Sequence, residues 1–346
     1  MRKEVKDLGN SITDLLNIKY PIVQGGMGNV SDPKLSAAIS NAGALGTIGV
    51  GTLPAEEVDR RIKIMVEHTD KPCCVNIPIS VHPEVEKVME KVLHNQVPVV
   101  SLSAGNPAKY IPMFHNEGIK VICVTASVKQ AKKAEESGAD IIVGEGYEAA
   151  GINALNESTT MTLIPQLSRE VSVPVIAAGG IGDGRGLAAA LSLGAAGIQM
   201  GTRFIAVKES NFHNIYKQAI IDATDDSTVI IGRKYNKIRR IMKGEYTDKL
   251  LILENENVSF NEFNEKSSEL YHEIGALDGD MENGFINSGQ IAGLIDDCPY
   301  VIELMERMVE EAKDILKNST EKLQELSQGD WGIIDEGKRR RNINSS

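Results

Sequence analysis

From residue 21 onward, short apolar runs rich in β-branched residues alternate with turns and amphipathic stretches. The runs cover residues 21–27 (PIVQGGM), 45–50 (LGTIGV), 73–79 (CCVNIPI), 97–103 (VPVVSLS), 120–126 (KVICVTA), 140–146 (DIIVGEG), 173–180 (VPVIAAGG) and 197–205 (GIQMGTRFI). They are mostly continuous rather than alternating, the pattern of strands buried on both faces of a parallel sheet. Between them, stretches such as DPKLSAAISNAG and SVKQAKKAEESG have helical spacing, open on Asp or Ser and end on Gly, the residues that cap helices. Eight strands alternating with helices predict an α/β fold, a TIM (β/α)8 barrel. A doubly wound open sheet is the alternative.

After Ile205 the pattern breaks. Residues 207–274 are rich in Asn, Glu, Lys and Asp and read as a smaller, mostly helical domain at the barrel mouth. Later, Val301, Leu304, Met305, Met308, Ala312, Ile315 and Leu316 recur at a spacing of three or four, the stripe of a helix that packs back on the barrel. The expected organisation is a barrel from residues 1–206 plus about 275–325, the smaller domain at 207–274, and a tail at 326–346.

A barrel carries its active site at the C-terminal edge of its strands. Those strand ends read Gln24-Gly25-Gly26-Met27, Asn76, Ser103-Ala104-Gly105, Thr125, Glu145-Gly146, Gly179-Gly180 and Gly201-Thr202. Small and amide-bearing residues dominate and charged groups are almost absent. Such a rim suits a large planar ligand held by backbone groups; no metal-ligand spacing stands out. Gly179-Gly180 and Gly201-Thr202 end the seventh and eighth strands, where barrels bind phosphate, and a helix starting near Asp183 would add its dipole. The run from Gly180 to Gly186 does not fit the G-x-G-x-x-G dinucleotide spacing, and Gly144 to Ala149 fits only its relaxed form.

Composition narrows the partners. A formal net charge of -11 disfavours nucleic acid and anionic membranes. No apolar stretch approaches the ~20 residues of a membrane span, and the N-terminal MRKEVKDLGNSITDLL carries acids and lacks the apolar region of a signal peptide. Cys73, Cys74, Cys123 and Cys298 show no CxxC spacing and read as small core residues of a reduced, cytoplasmic protein. The basic run at residues 338–341 reads as a solvated tail.

The set PIVQGGMG, CCVNIPI, GEGYEAAGIN, STTMTLIPQ, VPVIAAGGIGDGRGLAAAL, GIQMGTRF and NSGQIAGLI resembles the FMN-dependent nitronate monooxygenases, formerly 2-nitropropane dioxygenases. It is equally similar to the flavin-dependent enoyl-ACP reductases of the same superfamily. The resemblance implies a flavoprotein whose barrel holds FMN under a smaller domain. By motif, Gly179, Gly180, Gly201 and Thr202 would hold the phosphate. Gln24, Gly25, Gly26, Met27 and Asn76 would line the isoalloxazine ring, with Glu145 and Gln199 at further FMN-contacting positions.

The family loop that usually reads Glu-Ala/Ser-Gly-Gly-His is here Glu148-Ala149-Ala150-Gly151-Ile152, followed by Asn153. Ile152 therefore replaces a proposed catalytic histidine and, with Asn153, is expected in the substrate pocket. No catalytic residue is assigned. His68, His82, His94 and His115 are expected at the far end of the barrel; His213 and His272, in or next to the smaller segment, are within reach of the mouth but are expected in core or surface roles. Glu148 is expected to anchor the loop. These features imply an FMN-dependent oxidoreductase that oxidises alkyl nitronates with O2, since a nitronate arrives already deprotonated. The alternatives are an NAD(P)H-dependent enoyl-ACP or quinone reductase, and a flavin-binding module without turnover. Flavin barrels of this size often pair through surface helices, so a homodimer is expected.

Overall fold

The computed structural model describes residues 12–328. The strands are β1 (Ile22–Gln24), β2 (Gly46–Gly49), β3 (Cys73–Pro78), β4 (Val99–Ser103), β5 (Lys120–Thr125), β6 (Ile141–Glu145), β7 (Gly151–Ile152), β8 (Val175–Ala178), β9 (Gly197–Met200), β10 (Thr228–Ile231) and β11 (Arg239–Met242). Eight of them form one parallel sheet in the order β1-β9-β8-β6-β5-β4-β3-β2. The ends of that sheet meet. Val23 bridges Leu45 in parallel, Gln24 N donates to Leu45 O at 2.8 Å, and Leu45 N donates to Ile22 O at 2.9 Å. The closure makes a TIM barrel and sets aside the open doubly wound sheet.

The helices are α1 (Ile12–Leu16), α2 (Pro33–Asn41), α3 (Ala55–Glu67), α4 (Val85–His94), α5 (Ile111–Asn116), α6 (Val128–Glu136), α7 (Thr160–Glu170), α8 (Gly184–Ser192), α9 (Asn214–Ile221), α10 (Glu245–Asn255), α11 (Phe260–Lys266), α12 (Glu269–Glu273) and α13 (Val301–Gln328). Their starts follow the capping chemistry in the sequence. Asp32, Ser127 and Asp183 each accept a hydrogen bond from a backbone N–H of the first turn of α2, α6 and α8.

Two apolar layers hold the barrel. Inside, Val23, Leu45, Cys74, Val99, Ile122, Ile141, Val143 and Ile176 pack with Ile12 and Leu16 of α1. Ile12 lies directly against Gly197, the first residue of β9, so α1 plugs the N-terminal mouth and leaves the other mouth for chemistry. Outside, helix faces such as Val88, Met89 and Val92 of α4 and Leu163, Ile164 and Leu167 of α7 cover the strands. Each such side chain contributes about 1.5–3 kcal/mol on burial. The last helix buries Val301, Leu304, Met305, Met308 and Ala312 and packs on α8 and α2, completing the ring.

The segment 207–274, read as mostly helical, holds α9–α12 and also an antiparallel pair, β10 with β11. Arg239 and Arg240 disguise β11 as a polar surface, although both are buried. This lobe has its own core of Ile231, Ile241, Tyr246, Leu250, Phe263 and Phe285. Phe285 comes from the chain after residue 274, so the lobe's core draws on residues beyond the segment. The basic run at 338–341 lies outside the described residues.

Candidate active site

A cavity of 670 Å3 opens at the C-terminal ends of the barrel strands. Its wall includes Gly25, Gly26 and Met27 after β1, Asn76 on β3, Glu145 on β6, Gly179 and Gly180 after β8, Gln199 on β9, and Gly201 and Thr202 beyond it. Ile152 and Asn153 line it from the loop after β6. The strand ends are in register: Glu145 pairs with Ala178, and Ala178 with Gln199. Parallel pairing of neighbouring strands therefore brings residues far apart in sequence to one level.

Bare backbone shapes two corners of this wall. Gly179 and Gly180 have φ of 95° and 72°, a left-handed conformation open to glycine at little cost. A Cβ on Gly179 would lie 2.8 Å from Gly146 O. At β1, a Cβ on Gly26 would lie 2.6 Å from Asn76 Cβ, so the chain crosses Asn76 only because nothing protrudes. Asn76 Nδ2 donates to Ser101 Oγ at 3.1 Å. Thr202 Oγ1 accepts from Gly289 N at 3.0 Å, which keeps its own proton available as a donor.

The loop from Gly146 to Asn153 is clasped from both sides. The Glu148 carboxylate accepts from Thr160 N at 3.0 Å and from Thr160 Oγ1 at 3.1 Å, anchoring the loop to α7 as expected. From the other lobe, Arg240 donates to Tyr147 O at 3.0 Å and stacks 4.8 Å over its ring. β7 pairs with β11, Ile152 opposite Arg239 and Gly151 opposite Arg240. Asn153 Nδ2 donates to Ala149 O and Gly151 O, so this amide shapes the loop even as it lines the cavity.

Three expectations are corrected. Gln24 does not line the cavity: it is fully buried, and its Oε1 accepts from Thr47 N at 2.8 Å inside the barrel. The start of α8 is not open to an anion, because Gly184 N donates to Glu311 and Gly186 N to Asp183. His82 follows β3 at the cavity end, not the far end, yet its ring serves Leu53 O and Glu84 N.

The sequence reading missed three polar residues of the wall, Arg239, Glu269 and Asn287, and gave the fourth, His272, a core or surface role. Arg239 Nη2 donates to Glu269 Oε1 at 2.6 Å. Asn287 Nδ2 lies 3.1 Å from His272 Nδ1, which is also 3.5 Å from Glu269 Oε2. Burial pushes the Glu269 carboxyl up, but Arg239 and His272 outweigh it and hold the group below its usual range. A signal existed. The run Ile238-Arg239-Arg240-Ile241-Met242 sets two guanidinium groups in an apolar strand, and Glu269 and His272 are one helical turn apart.

Elsewhere the charged residues of the wall are Lys133, Glu145 and Glu148. Burial raises the Glu145 carboxyl to about 7, so it holds its proton at lower pH. Burial likewise raises the Cys123 thiol to about 12, which removes it as a nucleophile. Among the described residues no helix is long and apolar enough to cross a membrane.

A family model described as nitronate monooxygenase matches residues 10–90 and 79–311. A probable nitronate monooxygenase of Staphylococcus saprophyticus is 31% identical over 353 residues, spanning 89% of this chain and 99% of that protein. One from Staphylococcus aureus strain N315 is 31% identical over 351 residues, spanning 89% and 98%. Among solved structures, FabK from Thermotoga maritima shares 40% identity with a TM-score of 0.85, covering 89% of this chain and 97% of that one. A nitroalkane oxidase from Streptomyces ansochromogenes has the same fold, with a TM-score of 0.78 at 24% identity, covering 90% and 100%.

Proposed function

Because the chain belongs to the nitronate monooxygenase family, whose members are flavin-type oxidoreductases, we propose that it is an FMN-dependent enzyme that oxidises alkyl nitronates with O2. The residues present fit such a cofactor. The cavity's 670 Å3 falls within the range of about 300–1,000 Å3 usual for cofactor clefts. Beyond its chain neighbours, no heavy atom lies within 4 Å of where a Cβ on Gly201 would project, so space is kept beside Thr202. Gly179, Gly180, Gly201 and Thr202 would hold the phosphate, through backbone N–H groups and one hydroxyl. Gly25, Gly26, Met27, Asn76, Glu145 and Gln199 would line the ring. A bound flavin supplies the redox chemistry, accepting electrons from the substrate and passing them to oxygen.

The observation that carries the choice of substrate is Ile152. This loop residue lines the cavity and offers no base. A nitronate needs none, because its carbon-bound proton has already gone, whereas a neutral nitroalkane would have to lose one. The clasped loop keeps Ile152 and the small residues Ala149, Ala150 and Gly151 at the cavity wall, where they leave room for a flat ring. Glu145, protonated below about pH 7, can donate a hydrogen bond at the wall.

The 40% identity to FabK, above the 31% to the staphylococcal relatives, favours a second reading: NAD(P)H-driven reduction of an enoyl thioester or a quinone. Anaerobic mixing of the purified protein with propionate 3-nitronate, NADH and NADPH separates the two. Bleaching of the flavin by the nitronate, with recovery in air, is the expected result. Bleaching by a nicotinamide alone, with turnover of crotonyl thioester, overturns it in favour of the reductase.

A further inference from the structure

Six buried side-chain polar atoms have no hydrogen-bond partner among the described residues, and three belong to one cluster: Arg239 Nη1, His272 Nε2 and Asn287 Oδ1. All three side chains line the cavity beside Glu269. Native proteins pair nearly all such atoms, so this concentration calls for a ligand. Arg239 is 6% exposed and His272 2%; neither satisfies these atoms with bulk solvent.

The cluster is preorganised. The Arg239 guanidinium lies 5.2 Å over the Phe285 ring, and the His272 imidazole stacks on that same ring at 5.7 Å and 16°. Glu269 ties Arg239 through Nη2 and leaves Nη1 pointing elsewhere. Asn287 Nδ2 lies 3.1 Å from His272 Nδ1, so that ring nitrogen is engaged within the cluster and Nε2 is the one left free. Asn287 is held in turn, because Tyr216 donates its hydroxyl to Asn287 O at 2.5 Å. Of the other charged groups nearby, Glu273 faces Asn29 at 2.7 Å. The positive charge of Arg239 is balanced by Glu269, and Arg239 Nη1 and His272 Nε2 are left unpaired. Beside them the wall is apolar: Ile152 is the strand partner of Arg239, which sets both side chains on one face of the small sheet, and Gly151 lies beside Asn287.

We propose that Arg239 and His272, positioned by Glu269 and Asn287, form an oxyanion subsite that binds a planar, two-oxygen anion such as a carboxylate or a nitronate, with its alkyl part against Ile152. A guanidinium matches such a head geometrically. The subsite deepens the reading given above, since it rests on this cavity being the substrate site. It also explains how a loop with Ile152 in place of a base can serve an anionic substrate: the recognition comes from the other lobe.

The test is equilibrium binding to the purified flavoprotein by calorimetry, without turnover. Propionate and butyrate, which do not reduce a flavin, are compared with their neutral isosteres, propionamide and butyramide. Both anions are expected to bind at least ~10-fold more tightly than their isosteres. The double variant Arg239→Gln/Glu269→Gln, which keeps the buried charge balanced, and the single variant His272→Phe are each expected to lose that preference while retaining flavin. Equal binding of anions and isosteres by the wild type overturns the subsite without any variant. Undiminished anion preference in the flavin-loaded variants overturns it as well. A wild-type protein that carries no flavin yet prefers the anions would sink the FMN reading and leave the subsite standing.

Discussion

Gly180 shows how much of the candidate site is backbone. Its φ is 72°, and a Cβ there would come 3.3 Å from Glu148 Cβ. Gly180→Asp would set a carboxylate where the cofactor phosphate is proposed to lie and is expected to abolish flavin retention, read from the absorbance of the purified protein. Gly180→Ala carries the backbone strain without the charge and separates the two effects. Normal flavin content in the Asp variant would remove the phosphate assignment. Glu145 makes a second residue-level prediction. Its folded value of about 7 lies above the ordinary 4.5, so its stabilising neutral form is fully effective below about 4.5 and lost as pH rises through 7. Glu145→Gln removes that dependence. Above pH 7 the variant should exceed wild type in stability by up to about 3 kcal/mol, at 1.36 kcal/mol per unit, measured by thermal melts from pH 4 to 8. Wild-type and variant curves that stay parallel would show that the carboxyl is not desolvated.

The eight barrel strands were legible as elements because each is a continuous apolar run that must be buried wherever it goes. The start of α8 was legible too, in Asp183 followed by Gly-Arg-Gly. Elements whose identity depends on a partner were not. β7 is two residues long, and only pairing with β11 makes it a strand. β11 reads as polar because Arg239 and Arg240 alternate to opposite faces, one reaching Glu269 and the other Tyr147. This small sheet couples the loop to the second lobe, which gives Ile152→His a defined place at the cavity, opposite Arg239. The substitution is expected to raise activity on neutral nitroalkanes by ~10-fold or more, as a positioned base does, with little change on nitronates. Equal rates on neutral nitroalkanes would show that the loop does not face the reacting carbon.

At the scale of the whole molecule, closure comes from the end of the chain. α13 fills the eighth helical position, between α8 and α2, and Met305 in its second turn is fully buried. Met305→Ala is expected to cost about 2–5 kcal/mol, seen as a lower thermal midpoint, with flavin content unchanged because the helix lies outside the barrel. The sequence by itself determined the barrel, its glycine-rich rim and the apolar stripe of the closing helix, because periodicity and strand-end composition are local properties that fix burial directly. Only the tertiary structure decided that Gln24 turns inward to Thr47, that Glu311 and Asp183 occupy the start of α8, and that Arg239, Glu269, His272 and Asn287 meet at one wall. Those groups come from a strand, a helix and a loop, and no spacing along the chain encodes a meeting that depends on how one lobe folds over the other.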